Sequence, residues 1–358
     1  MRIRYDDAAR LATDLLVDAG HDLANATAVA RALALAEVWQ LGSHGLLRLP
    51  IYLDRLEAGG YVADAELTTV NDLGALVVLD GGGGLGHWQL SRAVELAVPR
   101  ARQFGIAAVA IGNSGHCGAL GVFAADAAEA GMASLVFSNG PAALAPWGGT
   151  GKLLSSSPLA AGFPGSPRPA VVDLALSTVA RGRIAAYASR GEELPDGWAL
   201  DAAGQPTNDP HDALAGLLAP LGGAKGFAIA FLVEALTAAL VGPLLSKDVP
   251  DMFDENAKAK QQRLAHLLVV IDPQAADSGG DPEAAFLRFA ELSDVTVEAG
   301  GRVPGSRRMA PSEVPPDEEF DVPDLLWDAL TARRRHIAVP PDRSHGTGAT
   351  VPLPKTQS

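Results

Sequence analysis

Residues 113–121 read Asn113-Ser114-Gly115-His116-Cys117-Gly118-Ala119-Leu120-Gly121, and the rest of the chain is best understood from this stretch. An apolar, strand-like run at 106–111 leads into it, and 122–130 follows with helical periodicity. Gly115, Gly118 and Gly121 let the backbone approach a ligand closely. The following helix would aim its free N–H groups and positive dipole end into the same space. That combination predicts a phosphate-bearing cofactor as the tenant. His116 adds a group able to change charge near neutral pH, although it could equally serve only to shape the loop.

The chain has 358 residues, which fits two packed domains or one large domain with insertions. Hydrophobic residues make up 48% and charged residues 20%, enough to bury a core and too apolar for a disordered chain. A formal charge of −14 argues against nucleic acid or an anionic membrane as partner, since both need a basic face. An anionic small substrate would then need local Arg or Lys working against the global field. The single cysteine, Cys117, forms no internal disulfide, fits a reducing cytoplasm, and reads as a small buried filler. Residues 1–7 carry charges and no apolar core, so they do not read as a secretory signal. No apolar run reaches the roughly eighteen residues of a membrane span. The nearest, 227–243, contains Glu234 and Thr237 and reads as a buried helix. A cytoplasmic protein is expected.

Working outward, the first third is helical. Ala8, Leu11, Ala12, Leu15 and Ala19 recur at helix spacing and stop at Gly20. A second helix is expected from about Ala26, capped by Asn25, to Gly42, and a third over 46–58, ended by Gly59-Gly60. From Leu73 short apolar runs alternate with helices: 76–79, 107–111, 133–137, 170–174 and 267–271 read as strands. The class is therefore α/β or α+β. Residues 195–210 are loop-rich, and 247–262 read as a polar surface excursion. Beyond Met309 prolines and charges dominate, apart from an amphipathic piece around Leu325, Leu326, Trp327 and Leu330. The tail from Val339 is expected to be disordered.

A second glycine signal competes with the first. Gly81, Gly83 and Gly86 formally satisfy the dinucleotide fingerprint after the 76–79 strand. A run of four glycines meets that spacing cheaply, however. Where the fingerprint wants an acidic residue about twenty positions on, the chain offers Arg100 and Arg102. A plain Gly-rich turn is the preferred reading.

Ser43-His44-Gly45 sits at the break between two expected helices, with Arg48 four residues after His44. On one helical face that pair suits a 2-oxo acid: the guanidinium takes the carboxylate and the imidazole exchanges a proton with the carbonyl oxygen. Ser43 would bond the imidazole or the substrate. A helix cap with a surface histidine and arginine explains the same spacing. A third glycine loop, Gly222-Gly223-Ala224-Lys225-Gly226, precedes the 227–240 helix. Its lysine either holds a phosphate or is a solvated turn residue. It is not a Walker loop, because the first glycine and the residue after Lys225 are wrong. The remaining histidines show no metal-ligand spacing, and no metal is expected.

Together these pieces resemble the malate/L-lactate dehydrogenase family that is unrelated to the Rossmann lactate dehydrogenases. It includes ureidoglycolate, sulfolactate and diketogulonate oxidoreductases and the piperideine and pyrroline-2-carboxylate reductases. The matching segments run in order from about residue 5 to 310. They begin with Ser43-His44-Gly45-Leu46-Leu47-Arg48-Leu49-Pro50-Ile51-Tyr52, the opening loop, and Ala145-Pro146-Trp147-Gly148-Gly149. They continue with Asp173-Leu174-Ala175-Leu176-Ser177, Gly197-Trp198-Ala199-Leu200-Asp201, Pro206-Thr207-Asn208-Asp209-Pro210, and Leu221 to Gly226.

The resemblance implies a non-Rossmann NAD(P)-binding domain built on a large mixed, mainly antiparallel sheet, with a helical domain, in a homodimer. It places a helical domain at 1–75, joined by 310–338, and the cofactor-binding sheet domain at 76–309. It implies that His44 is the proton donor, with Ser43 as its partner, and that Arg48, Ser156, Arg181 and Gly182 lie on the substrate side. It implies NAD or NADP contacts at His116, Cys117, Gly118, Ala119, Leu120, Asp173, Leu174, Ala175, Ala224, Lys225, Arg302, Arg307 and Arg308. Arg307 and Arg308 would suit a 2′-phosphate or be plain surface charge.

Two departures bear on the substrate. Ser155-Ser156-Ser157-Pro158 stands where the family usually has Gly-Thr-Asn-Pro or Gly-Asn-Asn-Pro, and Cys117 replaces a residue that is commonly aromatic. The implied activity is hydride transfer between nicotinamide and the α-carbon of a small 2-hydroxy or 2-oxo acid. A cyclic-imine reductase and an inactive nucleotide-binding relative are the alternatives.

Overall fold

A computed structural model of the chain describes residues 1–165 and 167–337; the tail expected to be disordered from residue 339 lies outside the described residues. The strands, in chain order, are β1 (Arg2–Arg4), β2 (Thr68–Asp72), β3 (Leu76–Asp80), β4 (Ile106–Ser114), β5 (Ala133–Ser138), β6 (Leu159–Phe163), β7 (Ala170–Leu174), β8 (Ala199–Leu200), β9 (Pro206–Thr207), β10 (Leu217–Leu218), β11 (Leu264–Ile271) and β12 (Glu319–Asp321). The helices are α1 (Tyr5–Asp18), α2 (Leu23–Val38), α3 (Leu49–Glu57), α4 (Gly86–Phe104), α5 (Gly121–Glu129), α6 (Arg181–Arg190), α7 (Pro210–Ala215), α8 (Ala224–Glu234), α9 (Pro273–Ala276), α10 (Ala284–Glu298) and α11 (Asp324–Ile337).

Seven strands form the central sheet in the order β2-β3-β4-β11-β5-β6-β7. Only β3 and β4 pair in parallel, and every other pairing in that sheet is antiparallel. This is the mixed, mainly antiparallel sheet that the resemblance implied. β11 lies at its centre, which explains why its sequence is a nearly continuous apolar run rather than an alternating one. On one face α4 and α5 share a core with Val109, Ile111 and Leu268 of the sheet, and α2 adds Ala32, Leu35 and Ala36 to it. On the other face Ala230 and Val233 of α8 pack with Phe137 and Leu267, beside the small sheet β8–β10.

The N-terminal helices have their own core, with Leu15, Leu33, Tyr52 and Leu330 all buried. The C-terminal segment returns to them. β12 pairs with β1, and Arg333 of α11 bonds Asp54 of α3 at 2.6 Å. The second helix starts three residues earlier than its apolar periodicity indicates, because Asp22 and not Asn25 caps it, accepting the N–H groups of Ala24 and Asn25. Residues 227–243, expected to be a buried helix, are buried on one face only: Ile229, Phe231, Leu232 and Leu240 are exposed. Among the described residues no helix is long and apolar enough to cross a membrane.

The Gly81–Gly86 loop joins β3 to α4, as a dinucleotide fingerprint would require, yet protein fills it. A Cβ on Gly81 would meet Gln89 Oε1 at 2.4 Å, and one on Gly86 would meet Gly115 O at 2.5 Å and His266 Nε2 at 2.7 Å. The loop is instead stitched to the end of β4. Gly81 N donates to Gly112 O (2.8 Å), Gly83 N to Asn113 O (2.8 Å), Gly115 N to Gly84 O (2.7 Å) and Gly86 N to His116 O (3.1 Å). The plain-turn reading holds, and this turn is the backing of the 113–121 loop. Gly86→Ala is therefore expected to lose about 1–3 kcal/mol in urea unfolding, the usual cost of overpacking a close contact. Gly300→Asn, at an open left-handed surface position, should stay within about 0.5 kcal/mol.

Candidate active site

Ser43, His44 and Arg48 do not lie on one α-helix. Two 3₁₀ turns, Gly42–His44 and Leu46–Arg48, precede α3, so the helix expected over 46–58 begins only at Leu49. Glu37 of α2 is the clamp: its carboxylate accepts Leu46 N–H at 2.7 Å and lies against Gly42 and Gly45, where a Cβ would meet it at 3.1 and 2.3 Å. The turn brings the expected residues together by another route. Ser43 Oγ lies 3.0 Å from His44 Nδ1, and Arg48 Nε donates back to Ser43 O at 2.6 Å. The Arg48 guanidinium stacks 4.6 Å from the Phe253 ring centroid, and Arg181 approaches the same ring at 6.0 Å. The polar 247–262 segment is thus more than a surface excursion. Buried Arg55 fixes it by donating to Ala257 O and Lys260 O, and Tyr61 O–H donates to Gln262.

The opening loop meets this turn. β4 runs through Ser114, beyond its expected end at 111, and His116 then stacks on His44 with ring centroids 6.1 Å apart and planes at 22°. Gly118 has φ +69°, and a Cβ there would strike His87 Nε2 at 2.7 Å, so this position requires glycine twice over. Cys117 is buried against the sheet core and its thiol is pushed up to about 12 by burial, as befits an inert filler. Three histidines, His44, His87 and His266, surround the loop that carries His116. Burial holds His44 at about 4, aided by the Arg48 charge, and pushes His116 well below its ordinary value. His87 is held at about 3 and His266 at about 4, again chiefly by burial.

Asp173 of β7 sits at the N-terminus of α5, where a Cβ on Gly121 would lie 2.7 Å from its carboxylate. The positive helix end expected to face a phosphate is therefore complemented by the chain's own carboxylate. Arg308 approaches Asp173 at 3.7 Å without a hydrogen bond at that nitrogen, and stacks on Trp39 at 5.1 Å. The remaining segments join at the end of β7: Leu176 N donates to Ser156 O and Leu221 N to Leu176 O, both at 2.8 Å, which brings 156, 173–176 and the 221–225 loop side by side. Lys225 is exposed at the start of α8. Residues 302–308 border β7 through the Val171 N–H, which donates to Pro304 O; Arg302 and Arg307 are exposed there. Arg181 and Gly182 open α6, but Arg181 is engaged by Asp251 at 3.0 Å and by Leu214 O. The Ser155–Ser157 departure is self-contained. Ser157 has φ +48°, and its N–H donates to Ser155 Oγ at 3.0 Å, which supports a conformation that asparagine adopts more readily.

The family described as malate/L-lactate dehydrogenase matches residues 3–331. This chain belongs to that family. It is 39% identical over 92% of its length to a (2R)-3-sulfolactate dehydrogenase (NADP(+)) of Chromohalobacter salexigens, covering 97% of that protein. It is 34% identical to a Δ1-pyrroline-2-carboxylate reductase of Ancylobacter novellus, over 93% of this chain and 97% of that one. The sulfolactate dehydrogenase structure from Methanocaldococcus jannaschii superimposes with a TM-score of 0.85 at 27% identity, covering 95% of this chain and 98% of the other. The resemblance read from the sequence is borne out, and the protein is an NAD(P)-dependent oxidoreductase.

The site accommodates such a cofactor. The Asp173 carboxylate, beside the N-terminus of α5, offers acceptors suited to ribose hydroxyls. Sequence reasoning missed Glu37, Tyr52, His87 and Phe253 as parts of the site. Only Tyr52 lay inside a quoted motif.

The neutral histidines give a signed pH dependence. Their folded values are depressed below 6.5, so the stability they contribute is fully present above about pH 6.5. It is lost as pH falls toward about 4 for His44 and His266 and about 3 for His87. Urea midpoints are expected to fall steadily between pH 6.5 and 4, and His87→Phe, which removes one of these groups, to flatten the decline.

Proposed function

We propose that the protein interconverts a small 2-hydroxy acid and its 2-oxo acid, with His44 exchanging the oxygen-bound proton and Arg48 holding the carboxylate. The observation that carries this reading is the meeting of the Ser43-His44-Arg48 turn with His116 of the cofactor loop, rings 6.1 Å apart. Nicotinamide, when bound, supplies or removes the hydride at the substrate α-carbon. In the oxidative direction the neutral His44 accepts the hydroxyl proton. Ser43 holds its Nδ1, which leaves Nε2 as the working nitrogen. In the reductive direction His44 must first be charged, and a carboxylate seated beside it favours that form.

Arg48 spends only its Nε on Ser43, and its two terminal nitrogens have no hydrogen-bond partner among the described residues. They form the fork that a carboxylate takes bidentately. Arg181, tied to Asp251, completes the wall beyond Phe253. Ser156 and Gly182 line the substrate side. Asp173, Leu174, Ala175, Ala224, Lys225 and the backbone of residues 116–120 line the NAD or NADP side, the side chains of Cys117, Ala119 and Leu120 being buried in the sheet core, with Arg302, Arg307 and Arg308 at its edge. In this reading the helical part, residues 1–75 with 310–337, brings the acid, and the sheet part, 76–309, brings the cofactor. Cyclic-imine reduction is the second reading, favoured by the Ancylobacter relative.

The partner is a second copy of the chain. Support comes from the apolar side chains left in water: Leu287, Leu292, Val295 and Val297 on α10, none of whose residues is buried, and Phe231 and Leu232 on α8. A reducing compartment such as the cytoplasm fits the one unpaired cysteine.

His44→Ala is expected to lower turnover by on the order of 10²–10⁴ with NAD(P)H affinity nearly unchanged. Arg48→Ala should mainly raise KM for the acid. Assays against 2-oxo acids and cyclic imines with both cofactors separate the two substrate readings, and near-normal turnover of His44→Ala removes His44 from the role. Light scattering should give the mass of two chains, and Leu292→Lys should shift it toward one.

A further inference from the structure

Tyr52 is completely buried on α3, one turn beyond Arg48, and its oxygen lies 2.6 Å from Nδ1 of His116. The Gly118 backbone N–H points at the same nitrogen at 3.2 Å. A backbone N–H can only donate, so Nδ1 carries a lone pair and no proton. The Tyr52 hydroxyl must then donate to Nδ1 as well. Burial raises that phenol well above its ordinary value, so it keeps the proton it donates. His116 is neutral, and a neutral imidazole whose Nδ1 accepts carries its only proton on Nε2. Nε2 has no hydrogen-bond partner among the described residues, and the ring lies over His44. Tyr52 is itself held edge-on by His87, with ring centroids 5.3 Å apart, and by Tyr61 at 6.1 Å.

We propose that Tyr52 is a positioning residue that locks His116 as its Nε2–H tautomer, so that His116 meets bound ligand only as a hydrogen-bond donor to an oxygen. The two histidines then divide the work. His44 exchanges the proton, and His116 cannot act as a competing base on the same oxygen, because its one basic nitrogen is occupied on the far side. The same bond ties α3, which follows directly on the Arg48 turn, to the loop proposed to contact the cofactor, so ring orientation and carboxylate placement are set together. The acceptor oxygen belongs to the substrate or to the nicotinamide carboxamide. The kinetic part of this inference rests on the site proposed above; the tautomer itself does not.

The first measurement needs no variant. Histidine-selective ¹⁵N labelling of the full chain should show His116 with an unprotonated Nδ1 and a protonated Nε2, and a protonated Nδ1 overturns the proposal. Tyr52→Phe keeps the ring and removes the hydroxyl. It should leave the circular dichroism spectrum unchanged, shift His116 partly toward the Nδ1–H tautomer because only the longer Gly118 N–H contact is left to oppose it, and lower kcat/KM by on the order of tenfold, the loss of about one hydrogen bond. A rise in KM for the acid assigns the acceptor oxygen to the substrate, and a weakened NAD(P)H Kd, read by fluorescence, assigns it to the cofactor. A Tyr52→Phe protein with one unchanged tautomer and unchanged kcat/KM overturns the proposal. If the tautomer is as stated but His44→Ala remains active, the lock stands and the assignment of His44 falls.

Discussion

The parallel contact between the two glycine loops is the constraint on which the site depends. Four backbone hydrogen bonds tie residues 81–86 to 112–116, and they continue the β3–β4 ladder past the end of β3. Side chains at Gly86 or Gly115 would separate the two segments. Buried His266 braces the second loop from below, its Nε2 3.1 Å from Gly115 O, so the His116 backbone is fixed from two sides before any ligand arrives. A loop that must present a neutral imidazole at one edge of a cleft benefits from such support, because the cost of ordering it is met on folding and not on binding.

The electrostatics follow from that rigidity. The chain as a whole is acidic, with a formal charge of −14, yet the centre of the site holds neutral histidines and the cation Arg48. A half-buried site with a free guanidinium fork strengthens charge interactions made inside it, so under the proposed function an anion would be held by local geometry against the long-range field. Burial, with the Arg48 charge beside it, keeps His44 uncharged at rest. In the proposed reaction, proton acceptance is therefore the readier direction, and proton donation requires the substrate to recharge it.

The sheet strands with strong apolar runs were legible because burial on both faces leaves a one-dimensional signal. β2 and β6 were not. β2, Thr-Thr-Val-Asn-Asp, is an exposed edge strand with no apolar face to declare itself. β6, Leu-Ala-Ala-Gly-Phe, is short and small because Gly162 packs under α5, where a Cβ would lie 2.0 Å from Ala124 O. Ser43, His44 and Arg48 were legible as a group but for the wrong reason. Their proximity comes from 3₁₀ turns held by Glu37, a side-chain contact that residue spacing does not encode. Phe253 was invisible in the same way, since it reaches Arg48 only because Arg55 and Tyr61 pin a polar segment across the helical core.

The opening loop also changes its chemical meaning. Glycines ahead of a helix suggest a phosphate held at the dipole end, but Asp173 already lies there with its pKa raised by burial and partly restored by Arg308. A phosphate at that spot would meet a carboxylate, whereas a ribose hydroxyl would meet an acceptor. The carboxylate there is therefore better matched to a sugar hydroxyl than to a phosphate. Arg308 is committed to Asp173 and Trp39, whereas Arg307 beside it is exposed.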